Sequence, residues 1–129
     1  MKKLQDMSVL VVEDAALMRT LIVKSLEKHG VGKVTQATNG KQALDAVTVM
    51  RPDLIISDLN MPVMNGVELL GKLQRNEDYK RIPFVVLTSQ TNDATFKKIM
   101  SMGAADFIRK PFNEDQLIVK LMSVAEWLN

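Results

Sequence analysis

Six side chains suited to metal and phosphoryl chemistry sit where short apolar runs of this 129-residue chain end. Glu13 and Asp14 follow SVLVV, Asp58 follows DLIIS, Thr88 and Ser89 follow IPFVVL, and Lys110, with Pro111 behind it, follows ADFIR. If the runs are neighbouring parallel strands, their carboxyl ends share one rim, the edge of an open α/β sheet where ligands bind. Three carboxylates gathered there repel one another, which a hard divalent cation relieves. The donors are oxygen only, with no His or Cys among them, so Mg²⁺ or Mn²⁺ suits the set better than zinc. Mg²⁺ keeps waters and recruits phosphate oxygens, Lys110 offers such a phosphate a point charge, and Thr88 offers it a hydrogen bond. A carboxylate beside a metal and a lysine can itself attack phosphorus and become an acyl phosphate.

The elements that must position these groups are legible in the hydrophobic pattern. Four β-rich runs, Ser8–Val12, Asp53–Ser57, Ile82–Leu87 and Ala105–Arg109, are nearly continuous in Val, Ile and Leu, as strands buried on both faces are. A weaker fifth run is Lys33–Ala37. Between them the apolar residues take helical spacing: Leu17, Met18, Leu21, Ile22 and Leu26 with Gly30 as a stop; Ala43, Leu44, Val47 and Met50; and Leu117, Ile118, Leu121, Met122, Ala125 and Leu128. Asn113 with Gln116, and Asn65 with Glu68 ahead of Leu70 and Leu73, read as helix caps. Thr91 to Asp93 is a candidate cap for a helix carrying Phe96, Ile99 and Met100. Strand and helix alternate five times, which predicts one doubly wound parallel α/β domain over residues 1–129 with helices on both faces.

Composition narrows the function classes. Lys+Arg 17 against Asp+Glu 15 leaves a net charge of +2 with the basic residues scattered, so no nucleic-acid partner is expected. The absence of cysteine removes disulfide and thiolate chemistry. No apolar stretch is long enough to span a bilayer and MKKLQDM lacks the apolar core of a signal peptide, so a cytoplasmic, non-membrane protein is expected, and a monomer.

Together, Glu13-Asp14 after a VLVV strand, the run Asp58-Leu59-Asn60-Met61-Pro62-Val63-Met64-Asn65-Gly66, the triplet Leu87-Thr88-Ser89 and Lys110-Pro111-Phe112 resemble the response-regulator receiver domains of two-component signalling. The likeness is to the stand-alone, CheY-like type and runs from about Met7 to Leu128. It implies the flavodoxin-like strand order 2-1-3-4-5. It further implies that Asp58 accepts a phosphoryl group from the phosphohistidine of a histidine kinase. Mg²⁺ would be held by Asp14, Asp58 and the backbone carbonyl of Asn60, with Glu13 acting through water. Thr88 and Lys110 would bind the phosphoryl oxygens, the Lys110-Pro111 bond would be cis, and Thr88 and Phe107 would form the switch. Such a protein is a switch rather than an enzyme, assisting its own phosphorylation and dephosphorylation. Asn60 and Gln90, two residues beyond Asp58 and Thr88, are expected to line the path of the hydrolytic water and set the acyl-phosphate lifetime. The output is expected by contact of a target protein with the fourth helix, fifth strand and fifth helix, including Lys97, Lys98, Ser101, Arg109 and Lys120, or by phosphate relay, as no effector segment follows Asn129.

Two positions depart from the family pattern: Phe107 stands where Tyr is frequent and so lacks a hydroxyl, and Asn65 replaces an Asp before Gly66, a change expected to affect capping only. Other residues have plainer readings. Met18, Met50 and Met122 lie on helix stripes and are expected in the core, Met61 and Met64 beneath the active loop, and Ser89 as a small spacer. His29 complements a helix end, and Trp127 packs partly exposed. Rival functions are a haloacid-dehalogenase-like phosphatase, which wants an Asp at position 60 and its nucleophile on the first strand, and an FMN carrier, which wants a Ser/Thr/Gly-rich loop where Ala15, Ala16 and Leu17 stand. A phosphorylation-independent binding module is a third.

Overall fold

A computed structural model of the chain describes residues 3–89, 92–126 and 128. Five strands, β1 (Ser8–Val12), β2 (Lys33–Ala37), β3 (Leu54–Asp58), β4 (Phe84–Thr88) and β5 (Asp106–Arg109), form one parallel sheet in the order β2-β1-β3-β4-β5. Helices α1 (Ala16–Lys28), α2 (Gly40–Met50), α3 (Gly66–Gln74), α4 (Asp93–Ser101) and α5 (Glu114–Ala125) connect and cover it. This is the doubly wound α/β fold, with the strand order that the family resemblance implies. β1 and β2 fall where the sequence pattern puts them. β3 is shifted one residue on, so that Asp58 closes the strand rather than following it, and β4 begins at Phe84 and includes Thr88. β5 starts at Asp106.

Alternation along each strand sorts the apolar runs into two cores. Val9, Val11, Leu54, Ile56, Val85, Leu87 and Ile108 face α1 and α5 and pack with Ile22, Leu26, Leu117 and Leu121. Leu10, Val12, Ile55, Phe84 and Val86 face the other way, against Ala43, Val47, Leu69, Leu70 and Ile99. Two-sided burial is why these strands read as unbroken apolar runs, each buried large side chain contributing roughly 1.5–3 kcal/mol.

The helices are set by identifiable ends. Asn65 and Asn113 make full capping boxes with Glu68 and Gln116, and Asn39, which the sequence reading passed over, caps α2 by accepting from the Gln42 N–H. Asn92 caps α4, accepting from the Ala94 N–H; of the candidate caps there, Thr91 lies outside the described residues, as do Gln90 and Trp127. Gly30 ends α1 at φ +88°, the left-handed geometry that glycine permits.

The helical stripes need correction. Leu17 is 74% and Leu21 52% exposed; of that stripe α1 buries Ile22 and Leu26, and it adds Val23, which lies outside the stripe. Met122 is 48% exposed and Met100 also lies open, so neither fills the core. Met18 and Met50 are half-buried, and of the two only Met18 packs against a core. An i, i+4 spacing catches a wider arc than the sheet can cover, and the outer members of that arc stay in solvent.

Candidate functional site

The carboxyl ends of β1, β3 and β5 bring Glu13, Asp58 and Lys110 together. Glu13 continues the side of β1 that carries Val9 and Val11, and Asp58 the side of β3 that carries Leu54 and Ile56. Lys110 continues the side of β5 that carries Ile108. All three therefore leave the sheet toward the same layer of helices. Thr88 keeps the phase of Phe84 and Val86 and so emerges on the opposite side, the side on which Phe107 packs.

The Lys110 ammonium lies 2.7 Å from Glu13 Oε1 and 3.3 Å from Asp58 Oδ2. Asp58 is buried, and its Oδ1 accepts a hydrogen bond of 2.8 Å from the Leu59 N–H. Asp14, exposed, completes an acidic trio: one carboxylate oxygen from each of Glu13, Asp14 and Asp58 lies within 4.8 Å of the others. Thr88 is buried, and its carbonyl accepts from the Lys110 N–H at 2.8 Å, tying β4 to the turn that carries the lysine. The Lys110–Pro111 peptide is cis, as the resemblance implies. Asn60 is exposed on the loop after β3.

Glu13 is the group whose placement the sequence does not reveal. It is wholly buried, and among the described residues its Oε2 has no hydrogen-bond partner. Burial lifts its carboxyl from 4.5 to about 7; the Lys110 contact opposes the rise and the adjacent Asp58 adds to it. For Lys110 burial acts downward, yet the two carboxylates outweigh it and hold the ammonium above its ordinary range. A buried oxygen lacking a donor, beside two further carboxylates and no nitrogen or sulfur ligand, fits a hard dication of the Mg²⁺ kind.

The loop after β3 is held by two glycines. A Cβ at Gly66 would fall 2.2 Å from the Asp58 carbonyl oxygen, and the Gly66 N–H donates to Leu59 O at 2.8 Å, so only glycine lets α3 start this close to the acidic residue. Gly40 N–H donates to Met64 O at 2.9 Å, and its missing side chain makes room for Met64. Met61 and Met64 are half-buried and pack against the core below, as expected. Exposed Val63 adopts φ +69°, a conformation that a β-branched residue rarely takes.

On the neighbouring face Phe107 is half-buried and its ring lies 4.5 Å from that of Phe96, tilted by 33°. The Arg109 guanidinium sits 4.5 Å over Phe96, and Lys120 Nζ lies 5.7 Å from the Phe107 ring while pairing with Asp106 at 3.2 Å. Lys97, Lys98, Ser101 and Arg109 are exposed around this stack. His29 lies at the end of α1, its Nδ1 2.8 Å from Ser25 O.

Fold, strand-end acids and lysine define a class that the comparisons with known proteins bear out: residues 9–122 match the model of the response regulator receiver domain family, and the chain belongs to that family. The chemotaxis response regulator CheY4 of Vibrio cholerae superposes with a TM-score of 0.86 at 34% identity, covering 92% of this chain and 98% of its own. The receiver domain of the Pseudomonas aeruginosa sensor histidine kinase PA1611, solved with a magnesium ion coordinated in its active-site cleft, superposes at 0.81 with 26% identity, covering 94% of this chain and 96% of that one. A protein-glutamate methylesterase/protein-glutamine glutaminase of Treponema pallidum is 36% identical over 95% of this chain and 31% of its own length. The chain thus spans about a third of the curated relatives it matches. It is a two-component receiver of the CheY-like kind, a family of signalling switches that act with histidine kinases. No helix among the described residues is long and apolar enough to cross a membrane.

Proposed function

We propose that this receiver is a phosphorylation-activated switch in which Asp58 accepts a phosphoryl group from the phosphohistidine of a histidine kinase. The observation that carries the reading is the buried Asp58 carboxylate with Oδ2 3.3 Å from Lys110, inside the acidic trio. An oxygen of Asp58 forms the new bond to phosphorus as the donor's P–N bond breaks and its electron pair leaves on the imidazole. Lys110 offers its charge to the incoming phosphoryl oxygens, and Thr88 its hydroxyl. Asp14, Asp58 and the Asn60 carbonyl would hold Mg²⁺, or Mn²⁺ in its place, with Glu13 reaching it through water. When bound, the ion supplies charge neutralisation for the trio and for the phosphoryl oxygens. Solved with magnesium in its cleft, the PA1611 receiver supports this assignment. Asn60 and Gln90 govern water access and hence acyl-phosphate lifetime. The chain thereby assists its own phosphorylation and dephosphorylation without turning over a separate substrate.

The output follows from Thr88 moving toward the phosphoryl group and Phe107 turning into the space it leaves. A target protein then reads the face of α4, β5 and α5, with Lys97, Lys98, Ser101, Arg109 and Lys120 on it. We read the chain as a single cytoplasmic receiver domain over residues 1–129, a monomer, with chemotaxis as the pathway that the CheY4 likeness favours.

Intact-mass analysis after incubation with acetyl phosphate and MgCl₂ tests the chemistry. One phosphoryl adduct on the wild type, absent from Asp58→Asn and absent when EDTA precedes the donor, is the expected result. A folded wild type that takes up no phosphoryl group would leave a phosphorylation-independent binding module as the reading.

A further inference from the structure

We propose that Arg19 is a positioning residue for the acidic pair, setting the affinity of the pocket for a divalent cation by fixing the Glu13 carbonyl. The inference rests on the reading of the pocket as a Mg²⁺ site. Arg19 lies in the first turn of α1, immediately after the turn that carries Glu13 and Asp14. Its Nη1 donates to Glu13 O at 2.8 Å and its Nε to Gln36 Oε1 at 3.1 Å, so one guanidinium joins α1, the end of β1 and β2. The Glu13 N–H is held separately, by Ala37 O at 3.1 Å. Both backbone polar groups of Glu13 are thereby fixed.

The turn needs this support because the usual device is missing. Ala15 occupies the N-cap of α1 and has no side chain that could accept from the first turn. The other helices described above start on a capping Asn, namely Asn39, Asn65, Asn92 and Asn113. Among the described residues nothing donates to the Asp14 carboxylate, so the orientation of the Glu13–Asp14 peptide decides where that carboxylate goes. A planar fork with donors aimed in two directions can hold a carbonyl and an amide oxygen at once, which a lysine ammonium cannot reproduce.

Charge and geometry predict opposite signs. A cation held on the backbone of the acidic turn opposes a dication there, so if Arg19 acted by its charge, removing that charge would tighten Mg²⁺ binding. If it acts by holding the carbonyl, losing the fork loosens binding whether or not the charge is kept, by roughly tenfold for a group that orients a ligand.

The test is an amide NMR titration with MgCl₂ of the full chain as wild type, Arg19→Lys and Arg19→Gln, with metal-free urea melts to verify folding. Both variants are expected to bind Mg²⁺ roughly tenfold more weakly, and at saturating Mg²⁺ to regain the wild-type rate of phosphorylation by acetyl phosphate, because Asp58 and Lys110 are untouched. Wild-type affinity in Arg19→Lys, or tighter binding in Arg19→Gln, would overturn the proposal. A wild type that shows no Mg²⁺-dependent shifts would instead bring down the metal reading itself. Should the Arg19 variants fail to fold, exposed Gln36→Ala removes the guanidinium's second anchor: weaker Mg²⁺ binding supports the proposal and unchanged binding overturns it.

Discussion

The pocket at the rim and the ring stack on the adjoining face hold their side chains by different forces. In the pocket, Lys110 is clamped between Glu13 and Asp58 at 2.7 and 3.3 Å, and Glu13 is wholly buried. Removing the one cation from such a set leaves two carboxylates without compensation, a penalty of roughly 3–5 kcal/mol. In the stack, Phe96 and Phe107 touch at 4.5 Å under Arg109 and Lys120, all half-buried or exposed. A ring pair contributes about 0.5–1.5 kcal/mol and each exposed cation–π contact about 0.5–1. A phosphoryl group, bringing close to two negative charges, therefore perturbs the pocket by more than the stack can resist. In the switch proposed above, the stiff, charged region would drive and the soft, aromatic one respond.

Breaking the pocket gives the largest expected effect. Lys110→Met in metal-free buffer at pH 8 should lose about 3 kcal/mol on urea melting, and less at pH 5.5, where Glu13 takes up a proton. Equal melts of variant and wild type at pH 8 would show that the clamp does not matter.

The pH dependence of the wild type sharpens the same point. Burial pushes the folded Glu13 carboxyl up from its ordinary 4.5 to about 7, so the folded state binds this proton more tightly than the unfolded chain. Its contribution is complete below the unfolded value and is lost as pH rises through about 7. Metal-free stability from this group should decline over that window by up to about 3 kcal/mol, and saturating Mg²⁺ should flatten the slope.

Breaking the stack should matter less and elsewhere. Phe96→Ala should cost about 2 kcal/mol in stability while leaving the rate of phosphoryl uptake unchanged, as read by intact mass. Asp58→Asn should stabilise the metal-free fold by about 1 kcal/mol or leave it unchanged, since it removes one of three repelling acids; a clear loss on melting would mean that the trio is not assembled. Arg109→Ala, which uncovers the face of the Phe96 ring, should change stability by less than about 1 kcal/mol.

Much of this was legible in the residues. The apolar run Ser8–Val12 and the weaker run Lys33–Ala37 coincide with β1 and β2 to the residue. β3 and β4 slipped by one or two positions because Asp58 and Thr88 are polar yet stay in the ladder, paired with Leu87 and Arg109, which no hydrophobicity count can register. Strand-end positions gathered the right acids and lysine, but the complete burial of Glu13, with Lys110 against its carboxylate, is a tertiary matter. Strand phase could have separated the Glu13, Asp58 and Lys110 group from Thr88 and Phe107, since Val11, Ile56 and Ile108 share one face. Leu17 and Leu21 show the converse failure: apolar residues at helical spacing that the sheet is too narrow to cover. The Phe96–Phe107 contact joins residues from two elements and left no local trace.

The link between the two regions is tested most directly by ¹⁹F NMR of the chain labelled with 4-fluorophenylalanine at its four Phe positions, before and after acetyl phosphate with MgCl₂. The Phe107 and Phe96 signals are expected to move while that of Phe84, buried in β4, stays in place. No movement is expected in Asp58→Asn, and loss of the movement in Thr88→Ala even though the phosphoryl adduct forms. A fully phosphorylated wild type whose Phe107 signal is unchanged, or a Thr88→Ala variant that keeps the whole shift, would contradict that link.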